Sequence, residues 1–120
     1  MRLRYWAGGD GPPLLLVHGF AGGAANFADL AELLAPRHRV LVPDLPGHGG
    51  SAPLPAIPNL AAYAESLATL CHVEGVERLD VVGHSLGGVV ALRLASRRPG
   101  LVPEMTASAR GLAGSCRRAW

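Results

Sequence analysis

Arg78-Leu79-Asp80-Val81-Val82-Gly83-His84-Ser85-Leu86-Gly87-Gly88-Val89-Val90-Ala91-Leu92-Arg93-Leu94-Ala95 is the stretch that decides the fold. Residues 78–82 read as a short apolar strand, and residues 88–95 read as a helix. The join is Gly83-His84-Ser85-Leu86-Gly87, a G-x-S-x-G run. A serine on so short a strand-to-helix join sits on a sharp turn. Glycines two residues either side lack a Cβ, so the turn can close and the helix can pack against the strand. The serine hydroxyl then projects above the sheet. The helix start beside it presents N–H groups that no intrahelical carbonyl takes, and these suit a developing negative charge.

The same alternation extends towards the N-terminus. Asn59 reads as the cap of a helix whose apolar stripe is Leu60, Tyr63, Leu67 and Leu70, with Gly75 ending it. Before it, Pro43 to Pro58 is a loop rich in proline and glycine, and residues 39–42 form a strand. Asn26 is expected to cap an earlier helix, with Asp29 three residues on and Phe27, Leu30, Ala31 and Leu34 at helical spacing until Pro36. Leu14 to His18 is a continuous apolar run, as a strand covered on both faces requires. Residues 3–6 read as an edge strand. Strands alternating with helices imply a mostly parallel sheet with helices on its faces. Beyond Gly100 the pattern fades. Pro103 opposes a ladder hydrogen bond, and Ala, Gly, Ser and Arg dominate the rest, so residues 103–120 are expected to be an irregular, solvated, basic tail.

Composition narrows the function classes. A chain of 120 residues with 49% hydrophobic content can bury one core. The net charge of +2 is too small to suggest nucleic-acid binding. Cys71 and Cys116 make no disulfide framework, and Cys71 lies on an apolar helix as a buried small residue. The run at Leu14 to Val17 is too short for a signal sequence, and Asp80, His84 and Arg93 interrupt the most apolar region. The expectation is a cytoplasmic protein that acts on a small molecule, without a membrane or nucleic-acid partner. No His, Cys and carboxylate cluster has metal-ligand spacing, so no metal and no cofactor is expected. Residues 47–52 formally match a dinucleotide fingerprint, but Pro53, Pro55 and Pro58 forbid the helix that such a site needs.

Three segments together carry a resemblance. His18-Gly19-Phe20, then Pro43-Asp44-Leu45-Pro46-Gly47-His48-Gly49-Gly50-Ser51, then Gly83-His84-Ser85-Leu86-Gly87-Gly88 resemble the α/β-hydrolase superfamily, in its order and at its spacing. Each lies at the C-terminal end of an expected strand. The resemblance covers residues 1–102 and implies a three-layer α/β-hydrolase fold with a mostly parallel sheet, truncated after the helix of the nucleophile elbow. It also implies roles. Ser85 is the nucleophile, and the backbone N–H groups of Phe20 and Leu86 form the oxyanion hole. His18 orders the loop that follows it, Asp44 orders its own loop, and His84 is a packing residue of the elbow.

The family order of catalytic groups is serine, then acid, then histidine. All five histidines precede Ser85, and Glu104 is the sole acidic residue after it. The implied function is hydrolysis of ester or amide bonds through an acyl-serine intermediate, with this chain inactive as an N-terminal fragment. A second possibility is a non-catalytic binding module of the same fold, which would need a tail that closes the sheet. Leu45-Pro46-Gly47-His48-Gly49-Gly50-Ser51 is also similar to lyases of menaquinone biosynthesis on this fold.

Overall fold

The computed structural model describes residues 3–54, 59–109 and 112–117. Chain order runs β1 (Tyr5–Gly8), β2 (Pro13–Val17), a 3-10 turn (Ala24–Phe27), α1 (Ala28–Leu34), β3 (Arg39–Pro43), α2 (Leu60–Val73), β4 (Asp80–His84), α3 (Leu86–Arg97), β5 (Glu104–Ala109) and β6 (Leu112–Arg117). The six strands form one sheet in the order β1-β3-β2-β4-β5-β6. The pairs β2–β3, β2–β4 and β4–β5 are parallel, and the two outer pairs, β1–β3 and β5–β6, are antiparallel.

Side-chain alternation along the central strands sorts the core into two layers. Leu15, Val17, Leu41 and Val81 face α2 and α3, packing with Leu67, Leu70, Val90 and Leu94. Leu14, Leu16, Val40 and Val42 face the other way and pack with Ala31, Phe27 and Leu34. Helices therefore cover both faces, and the architecture is three-layered. Both faces of β2 and β3 are buried, which is why these strands read as unbroken apolar runs.

Polar links fasten the layers. The Asn59 side chain accepts from the Ala62 N–H at 2.8 Å, the cap expected of α2. Asn26 does not cap α1. It lies within the 3-10 turn, where Oδ1 accepts from the Gly23 N–H at 2.9 Å. The glycine-rich approach to α1 tightens into an i to i+3 turn first, so the helix proper starts at Ala28. Glu74, just past α2, accepts from the Tyr5 hydroxyl at 2.8 Å and pairs with Arg39 at 3.0 Å, tying β1, β3 and α2 together.

Residues 104–109 and 112–117 depart from the expected irregular tail. Both are strands, and β5 completes the β4 ladder that otherwise presents open N–H and C=O groups. Val102 and Met105 are buried in the larger core cluster. Pro103 lies just outside the ladder, where its missing N–H costs no hydrogen bond. The small residues of this stretch carry no hydrophobic alternation, so pairing with β4, not local pattern, makes them a strand.

Candidate active site

The connections leaving β2 and β4 run in opposite directions. From β2 the chain passes over one face to β3, and from β4 it passes over the other face to β5. Adjacent parallel strands of this kind open a crevice at their C-terminal ends, where α/β proteins bind ligands. A cleft of about 500 Å³ lies there, lined by His18, Gly19, Phe20, Ala21, Gly22, Asn26, Phe27, His84 and Ser85.

Ser85 sits between β4 and α3 with φ 54° and ψ −117°. That combination falls outside the left-handed helical region and is strained for a residue with a Cβ. The surroundings allow no easier turn. A Cβ on Gly83 would collide with the Gly87 carbonyl oxygen, and a Cβ on Gly87 would collide with the Val17 carbonyl oxygen. The two glycines of the motif thus permit the tight turn and the close seat of α3 on β2. Gly88 and Val89 donate to the Ser85 carbonyl at 2.9 and 3.3 Å, starting α3. Leu86 is the first residue of α3, so its N–H has no intrahelical acceptor.

The loop after β2 reaches the same place. An ideal Cβ on Gly19 would stand 3.3 Å from both the His84 carbonyl oxygen and the Ser85 Cβ, so this loop rests directly on the elbow. Ala21, next in the loop, has φ 59°. Phe20 is 80% exposed, and its ring stands edge-on to His48 at 5.9 Å. Ser85 and Phe20 meet at the cleft. Leu86 adjoins Ser85 as the start of α3 and is not among the residues lining the cleft.

Buried polar groups hold these loops. His18 is 1% exposed. Its Nδ1–H donates to the Gly19 carbonyl at 2.7 Å while Nε2 accepts from the Leu45 N–H at 2.8 Å. Accepting at Nε2 requires the neutral ring protonated on Nδ1. Burial holds the His18 pKa below the usual histidine value, and nearby His48 adds to this, against the opposing pull of the Gly19 carbonyl and Asp44. Asp44 takes the Ala24 N–H on Oδ1 at 2.7 Å and the Gly50 N–H on Oδ2 at 2.9 Å. Burial would raise its pKa, but these two backbone donors, with His18 and Arg4 nearby, hold it below the usual carboxylate value. Ser51 Oγ donates to the Asp44 carbonyl at 2.6 Å and accepts from the Arg4 N–H at 2.8 Å.

The loop-ordering roles expected of His18 and Asp44 agree with these contacts. His84 differs from expectation, because it is exposed and lines the cleft. The residue pattern missed Asn26 as a cleft residue. Its asparagine-before-helix context points equally well to a cap, and nothing local separates the two. Among the described residues, no group of three or more His, Cys, Asp or Glu could hold a metal ion, and no helix is long and apolar enough to cross a membrane.

Residues 12–113 match the family described as alpha/beta hydrolase fold. An uncharacterised protein of Mycobacterium tuberculosis is 41% identical over 97 residues, covering 81% of this chain and 28% of that protein. A fluoroacetate dehalogenase of Burkholderia is 39% identical over 97 residues, covering 77% of this chain and 32% of the dehalogenase. Among solved structures, a thermophilic esterase from Thermogutta terrifontis superposes with a TM-score of 0.83 at 34% identity, over 88% of this chain and 39% of the esterase. The chain thus spans about a third of the length of these relatives. Fold, motif order and family match agree, and the chain belongs to the α/β-hydrolase superfamily.

Proposed function

We propose that the described residues form the nucleophile side of a serine hydrolase site that acts on ester or amide bonds of a small molecule. Ser85 Oγ attacks the substrate carbonyl carbon and passes its proton to a base, giving a tetrahedral intermediate. The Phe20 and Leu86 N–H groups take the oxyanion. Collapse expels the alcohol or amine and leaves an acyl-serine, which water then cleaves. The observation that carries this reading is the strained backbone of Ser85 at the mouth of the cleft, with the Gly19–Phe20 loop resting on it. The name of the Thermogutta esterase supports the reaction class. A cytoplasmic location belongs to the same reading.

The base is the group these 120 residues do not supply in the family's order, since no His follows Ser85. The chain alone should therefore hydrolyse a nitrophenyl ester at most on the order of a thousandfold over water, the level left by binding and an oxyanion hole. Replacing residues beyond 102 with the C-terminal remainder of the Thermogutta esterase should bring turnover that Ser85→Ala abolishes. Fast turnover by the unmodified chain, or a folded hybrid indifferent to Ser85→Ala, would contradict the assignment.

A binding module without catalysis is the second reading, and β5 favours it by giving β4 a paired neighbour. Such a module unfolds cooperatively as a monomer and binds esters without turning them over in any hybrid.

A further inference from the structure

Besides Ser85, three polar side chains line the cleft, those of His18, His84 and Asn26. Both ring nitrogens of His18 are taken by Gly19 and Leu45. Of the other two, Asn26 has its orientation fixed by a backbone contact. Asn26 is exposed and lines the cleft wall beside Phe27 and Gly22. Its orientation is set by the backbone, because the Gly23 N–H needs an acceptor and takes Oδ1 at 2.9 Å. An amide whose oxygen is engaged in this way is fixed against the flip that would exchange its two ends. The Nδ2 donors are left at the other end, and none of the described residues accepts from them. The neighbouring glycine makes room for this pose. A Cβ on Gly22 would stand only 2.5 Å from Asn26 Oδ1, so any other residue there would press the amide out of place.

The geometry points to Asn26 as a specificity-determining residue, whose Nδ2–H group donates to a second acceptor oxygen on the substrate, beyond the carbonyl that Ser85 attacks. The ligand class is an ester or amide bearing a neutral ketone, amide or ether oxygen on the part that lies along Phe27 and Asn26. A neutral oxygen suits the wall, whose lining residues include no Lys, Arg, Asp or Glu. The inference rests on the cleft being the substrate site, as proposed above.

Methyl butanoate and methyl acetoacetate share one carbon skeleton and differ by a single ketone oxygen, so they make a matched pair of probes. Titrate each into the 15N-labelled full chain and follow the Phe20, Ser85 and Asn26 backbone amides together with the Asn26 Nδ2 resonances. Methyl acetoacetate should bind about threefold to tenfold more tightly, the gain of one net hydrogen bond between neutral groups, and should move the Nδ2 pair. Asn26→Asp keeps an acceptor for the Gly23 N–H but turns the donor into an acceptor, and should abolish or reverse the preference. Asn26→Ser, which also keeps an acceptor there, should abolish it as well. Equal affinities in the unmodified chain, with Phe20 and Ser85 still responding, would overturn this inference alone. A preference that survives both variants would do the same. No response at Phe20 or Ser85 to either ester would overturn the cleft as the substrate site and this inference with it.

Discussion

His18 Nε2 accepts the Leu45 N–H at 2.8 Å, which joins the loop at the end of β2 to the loop at the end of β3. Only the neutral ring can do this, since a protonated imidazole has no acceptor nitrogen. Because burial depresses the His18 pKa, the unfolded chain binds a proton at a pH where the folded chain does not. Stability from this group is complete above the unfolded histidine pKa, near 6.5. It falls as pH drops from there to the lower folded value. Urea unfolding at pH 7.5 and 5.5 should show a larger loss for the unmodified chain than for His18→Gln. Equal losses would remove His18 as the source.

Asp44 organises its loop through two backbone N–H groups, those of Ala24 and Gly50. Asp44→Ala leaves both without their acceptor, at about 1–3 kcal/mol for each group that stays buried. Asp44→Asn retains one carbonyl oxygen and should lose less. The depressed carboxylate pKa sets a second pH window. Its contribution is present above the ordinary aspartate pKa and disappears as pH falls through the folded value, well below the window of His18. Denaturant midpoints of the two variants at pH 7 test the ranking, and an Asp44→Asn variant weaker than Asp44→Ala would contradict it.

Two glycines give opposite expectations. Gly87→Ala drives a Cβ into the Val17 and His18 carbonyl oxygens at the seat of α3, and should cost about 1–3 kcal/mol or more as α3 shifts off β2. Gly100→Ala meets nothing within 4 Å and requires no positive φ. It should be neutral or stabilise by about 0.4–1 kcal/mol, by reducing the freedom of the unfolded chain. Thermal melts of both variants check the contrast, and a tolerant Gly87 would mean that the helix is not held where the elbow needs it.

The layered fold was legible because β2, β3 and β4 are bracketed by helices with clear apolar stripes, and because glycine spacing at 83 and 87 has one steric meaning. The loop roles of His18 and Asp44 came through the family resemblance, and their hydrogen bonds agree with it. Residues 104–117 were illegible for a physical reason. Their strands come from pairing across the sheet, and a run such as Thr106-Ala107-Ser108-Ala109 carries too little contrast between its faces to announce a strand. Asn26 differs from the expected cap of α1 because an N-cap and an acceptor three residues into a turn use the same residue type, and only the position of the Gly23 N–H separates them.

The most direct test of Ser85 as nucleophile needs no turnover. A small alkylboronic acid forms a reversible bond from boron to a serine oxygen, with the hydroxyl proton lost to solvent, and the tetrahedral product mimics the oxyanion intermediate. At equilibrium this adduct does not depend on a catalytic base. Boron NMR of the chain with butaneboronic acid near neutral pH, where the free acid stays trigonal and binds no hydroxide, should show a tetrahedral signal that is absent from Ser85→Ala. The Phe20 and Leu86 amide resonances should shift in the same titration. Near neutral pH, a tetrahedral signal that persists in Ser85→Ala, or its absence from the folded unmodified chain, would contradict the assignment of Ser85 as the nucleophile.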